Sequence, residues 1–134
     1  MSVGPIHHLA IVVRSIDEAL PRYRELFGIE PEAPPMTFAP QRVRLCFLPT
    51  GPEPAARLEL VEPLDNESGV ARYLASHGEG VHHVCLLTDD LPASLDALAA
   101  ADSFGQNLVF ARCEYRYNTS VFSPHGVVTL DLTA

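Results

Sequence analysis

The chain has 134 residues, 47% of them apolar, with three cysteines and a formal net charge of -8, a composition that fits one ordinary soluble domain or two small halves sharing a core. The acidity and the lack of basic clusters exclude nucleic acid and anionic membrane surfaces as partners, and no apolar run reaches the roughly 18 residues of a bilayer span. MSVGPIHH lacks a signal-peptide build, and Cys46, Cys85 and Cys113 form no CxxC pair, so the expectation is a cytoplasmic protein with small core cysteines and a small-molecule partner.

IHHLAIVV (6–13) reads as a buried strand, with His8, Ala10 and Val12 on one face and Leu9, Ile11 and Val13 on the other. A helix follows. Ser15 and Glu18 form a capping box, Ile16, Leu20, Tyr23 and Phe27 recur at helical spacing, and Gly28 supplies the stop. Pro21 sits inside this pattern and is expected to kink or loosen the second turn. After the turn-rich PEAPP (31–35), MTFA and QRVRLCFLP read as two strands, and ARLELVEP as a third. In RLELVEP, Leu58 and Leu60 point one way, and Arg57, Glu59 and Val61 the other. Residues 1–66 are thus a strand-helix-strand-strand-strand (βαβββ) module.

Ser68 caps a short linker helix within 67–78, whose apolar face is Val70, Tyr73 and Leu74 and whose end is Gly78. VHHVCLLT then restarts the pattern in the register of IHHLAIVV, placing His83, Cys85 and Leu87 on one face. A helix with Leu91, Leu95 and Leu98, entered through Asp90 and Pro92, comes next, and LVFARCEYRY, NTSVFSP and GVVTLDLT supply three more strands. Residues 79–134 therefore repeat the first module. The fold class is α+β, with two βαβββ modules in one domain.

The repeat carries its polar residues with it: His83 corresponds to His8, and Asp131 in the last strand to Glu59. A carboxylate or imidazole in mid-strand costs several kcal/mol of desolvation unless it finds a partner, and a metal ion is one such partner. Two histidines and two carboxylates meeting at one cavity would suit Zn, Co, Mn, Ni or Fe(II). His7 and His82 face away from the proposed ligands and are expected to pack or cap; His77 and His125 read as surface residues. Arg112, Tyr115, Arg116 and Tyr117 form a polar and aromatic patch that suits either an anionic substrate group or an exposed edge strand.

The HHLAIVV opening, ELVEPLDNES, the GEGVHHV that follows the linker helix, and the FSPHGVV ending resemble the vicinal oxygen chelate superfamily, and within it the methylmalonyl-CoA epimerase branch. The resemblance implies a curved mixed sheet around a metal cavity, with His8, Glu59, His83 and Asp131 as ligands of a divalent ion. It also implies pairing into a homodimer. Two departures stand out: Asp131 replaces the glutamate usual in the closing strand, and Leu45 stands where the branch carries its second catalytic glutamate. Val43, Leu45 and Phe47 share a face, so that wall is expected to be apolar.

The function so implied is that of a metal-dependent isomerase or epimerase. It would abstract a proton next to a metal-bound carbonyl of a small carbonyl or thioester substrate other than methylmalonyl-CoA. Glu59 and Asp131 are the catalytic carboxylates in this reading. The alternatives are a glyoxalase-like lyase, an Fe(II) oxygenase, and a non-catalytic small-molecule binding protein of the same fold.

Overall fold

Apolar alternation carries the chain into β1 (Val3–Val12) in the computed structural model, which describes residues 3–52, 55–102, 111–115 and 126–131. The packing divides the chain into two units, Leu9–His82 and Met1–His8 with His83–Ala134.

In the unit Leu9–His82, β1 leads into α1 (Ile16–Phe27), β2 (Met36–Phe38), β3 (Val43–Pro49), β4 (Arg57–Pro63) and α2 (Gly69–His77). Here the strand order is β2-β3-β4-β1. The Ser15 side chain accepts a hydrogen bond from the Glu18 N–H, as its sequence spacing requires, and Gly28 ends α1 at φ 65, a left-handed conformation that suits a residue without Cβ. Pro21 is held within the helix. Glu62 accepts from the Ile16 N–H at 3.1 Å, tying the start of α1 to β4. Ser68 caps α2 in the same way, accepting from the Ala71 N–H at 3.0 Å.

The expected strand over QRVRLCFLP begins later than its pattern suggests. Ala39–Gln41 form a 3-10 turn, with Pro40 near its start, where a missing N–H costs nothing. Arg42 then adopts φ 54 and pairs with Asp65 at 3.3 Å.

Each face of these strands carries its own apolar cluster. Ile16 and Leu20 of α1 pack with Val13, Cys46, Leu48 and Leu60. On the other side, Val70 of α2 packs with Ala10, Val12, Val43, Leu45 and Val61, with Phe47, Tyr73 and Leu74 at the edge. The two sets follow the alternation of β3 and β4, so a one-residue slip of register would exchange them. Fully burying a side chain such as Ile16 contributes roughly 1.5–3 kcal/mol.

In the other unit, the start of β1 is followed in strand order by β5 (Gly80–Thr88), β7 (Gly126–Asp131) and β6 (Ala111–Tyr115), and α3 (Leu91–Asp102) packs against β6 and β7. Asp90 accepts from the Ala93 N–H at 2.9 Å at the start of α3, and the buried Thr88 and Ser94 hydroxyls bond to each other at 2.7 Å. The strand expected at NTSVFSP lies outside the described residues.

Candidate metal centre

Two strand residues bring imidazoles together in the unit that contains β5. His8, on β1, is 2% exposed, and its ring centroid lies 5.5 Å from that of the half-buried His83 on β5. His83 and Cys85 are separated by one residue, so β5 turns both to one side. One donor atom from each of His8, His83 and Cys85 falls within 4.8 Å of the others. Two imidazoles and a thiol that close, in a largely buried position, form a donor set that fits a divalent ion of intermediate softness.

His7 is part of this arrangement, which the alternation of β1 did not indicate. Its Nδ1 lies 2.7 Å from His8 Nδ1, the two rings meet edge to face, and His7 is 6% exposed. One of the two nitrogens must carry the proton, so the tautomer of each ring fixes that of the other. A histidine that binds metal through Nε2 presents N–H at Nδ1, and if His8 bound in that way His7 Nδ1 would be the acceptor of this bond. The doublet HH was the available signal, but only the ring geometry shows that the first member bonds to the second.

Asp131 is the backbone partner of His83 in the antiparallel β5/β7 register, with Thr129 opposite Cys85. Glu59 belongs to the unit Leu9–His82. It is 6% exposed and pairs in register with Phe47. Alternation places it on the face of Val61, with Val43, Leu45 and Phe47 in the neighbouring strand. Burial among these groups pushes the Glu59 carboxyl up to about 8. The same face is apolar at Leu45, as its sequence suggests.

The remaining polar candidates separate. His82 meets Tyr73 edge to face at 5.0 Å, and the exposed His77 stacks on the same ring at 4.8 Å, while the Tyr73 hydroxyl donates to the Val81 carbonyl at 2.8 Å. These contacts account for both histidines as packing groups around one tyrosine. Arg112 and Tyr115 fall on β6, whereas Arg116, Tyr117 and His125 lie outside the described residues. Cys46 is buried on β3, and desolvation with the nearby Glu59 pushes its thiol up to about 11. No helix among the described residues is long and apolar enough to cross a membrane.

The ethylmalonyl-CoA/methylmalonyl-CoA epimerase of Cereibacter sphaeroides is 31% identical over 100 residues, which cover 74% of this chain and 72% of that protein. Among solved structures, Streptomyces coelicolor methylmalonyl-CoA epimerase in complex with 2-nitronate-propionyl-CoA superposes with a TM-score of 0.67 at 31% identity, covering 88% of this chain and 82% of that one. Methylmalonyl-CoA epimerase from Mycobacterium tuberculosis gives a TM-score of 0.67 at 26% identity, over 85% and 71% of the two chains. Residues 7–104 match the family described as the Glyoxalase/Bleomycin resistance protein/Dioxygenase superfamily. With an α+β glyoxalase-like fold and epimerases among its relatives, the chain belongs to the Glyoxalase/Bleomycin resistance protein/Dioxygenase superfamily.

Proposed function

We propose that the protein is a metal-dependent isomerase or epimerase that relocates the proton beside the carbonyl of a small acyl thioester. In this reading His8, Glu59, His83 and Asp131 hold one divalent ion, and Glu59 and Asp131 also handle the proton. The observation that carries the proposal is the His8–His83 pair, in a chain 31% identical to an acyl-CoA epimerase. A divalent ion held there supplies Lewis acidity toward the substrate carbonyl oxygen.

The residues of the chain do the rest. As the C–H bond next to the carbonyl breaks, its electron pair moves into the carbonyl system and the proton passes to a carboxylate oxygen. Once off the ion, Glu59 suits this exchange, because burial without a counter-charge raises its proton affinity toward neutral pH. His7 holds the His8 ring in one tautomer and orientation. Leu45, 7% exposed, offers no second acid-base group on its face, which favours exchange through one carboxylate and a substrate other than methylmalonyl-CoA. Homodimer formation and a cytoplasmic location complete the proposal; the latter is supported by the buried Cys46 and Cys85, neither of which is in a disulfide.

Incubation of the metal-loaded protein with a panel of acyl-CoA thioesters in deuterated water tests it. The expected result is deuterium at the carbon next to the carbonyl of at least one thioester, with slow epimerisation of methylmalonyl-CoA that Leu45→Glu accelerates. Iron-dependent oxygen uptake would favour an oxygenase instead. Thioester binding without exchange would favour a binding protein.

A further inference from the structure

We infer that Cys85 is a direct ligand of the divalent ion, so that the centre holds a thiolate beside the two imidazoles. This inference rests on the metal-dependent reading above and adds a ligand to it. Cys85 is fully buried, stands on the same side of β5 as His83, and has its sulfur within 4.8 Å of donor nitrogens on both His8 and His83. In a tetrahedral site, nitrogen and sulfur donors about 2.0–2.3 Å from the ion are roughly 3.3–3.7 Å apart. The three atoms therefore need to close by about 1 Å, which small rotations of the three side chains supply without moving either strand.

The register of β7 points the same way. Asp131 pairs with His83 and Thr129 with Cys85, so the strand expected to close the site brings a carboxylate one methylene shorter than glutamate. A sulfur two residues beyond His83 supplies the donor that a short carboxylate reaches less well. As the sulfur-metal bond forms, the S–H bond breaks and its proton goes to solvent, with no change of oxidation state. Zn and Co are then preferred over Mn and Mg, because a thiolate is a soft donor.

Cobalt substitution reads this directly. The metal-free protein titrated with Co(II) should develop a thiolate-to-cobalt charge-transfer band in the near ultraviolet, and Cys85→Ser should lose the band and bind cobalt at least about 10-fold more weakly. The chain has three cysteines, so a Cys46→Ser, Cys113→Ser double variant leaves Cys85 as its one thiol and should keep the band. That variant decides the question even if Cys85→Ser fails to fold. Cobalt uptake without the band, or a band that persists in folded Cys85→Ser, would overturn the assignment and leave the metal-dependent reading standing. A wild-type protein that takes up no cobalt would overturn both.

Discussion

Glu59→Gln offers a quantitative test, because it removes a charge while keeping the side-chain volume. Glu59 is 6% exposed and faces apolar neighbours, and burial lifts its carboxyl from an ordinary 4.5 to about 8. The folded chain therefore holds this proton more tightly than the unfolded chain does. Below about pH 4.5 both states are protonated and folding bears no cost from this group. As pH rises toward 8 the unfolded state ionises first, so stability falls by about 1.4 kcal/mol per pH unit and levels off above about pH 8. The accumulated cost is roughly 3 kcal/mol at pH 7 and about 5 kcal/mol above pH 8. Chelator-treated Glu59→Gln lacks this slope and should exceed wild type by up to roughly 3 kcal/mol at pH 7, the margin shrinking toward pH 5. Urea unfolding of both metal-free proteins at pH 5, 6, 7 and 8 measures it. Parallel stability curves for the two proteins would refute the argument. Adding metal at about 1,000 times its Kd should reverse the ranking, since ion binding then stabilises wild type by about 4 kcal/mol, whereas the variant loses a charged ligand.

His83→Ala should leave the purified protein with little bound metal, because it removes one of the two imidazoles at the centre; metal analysis after exhaustive dialysis decides this. Asp131→Asn should cut turnover far more than metal content, since an aspartate reaching the ion through water still accepts a proton, whereas Glu59→Gln should lower both; stoichiometry and rate measured on the same samples separate the cases. Ser15→Ala should destabilise the fold by about 1 kcal/mol with no change in metal affinity, because it removes the acceptor for the Glu18 N–H at the start of α1; a shift of the urea midpoint at constant slope is the expected readout.

The sequence by itself determined whatever depends on near neighbours along the chain. Ser15 and Gly28 mark the ends of α1, and Ser68 and Gly78 those of α2, because capping is a matter of local hydrogen bonds and allowed φ. Alternation alone sorted Leu58 and Leu60 from Val61, and the two apolar clusters keep that division. The Pro40 turn shows where such reasoning overreached: QRVRLCFLP alternates well enough to read as one strand, yet the missing N–H of proline and the left-handed Arg42 delay β3 to Val43. Distant partners were decided only by the tertiary structure. That His7 bonds to His8, although strand alternation turns neighbours apart, depends on how the two rings rotate in a buried space. That Cys85 lies near His8 depends on which strands come side by side. The proton affinity of Glu59 is likewise absent from its local sequence, because it is set by the water that Leu45, Phe47, Val61 and their neighbours exclude once the strands have paired.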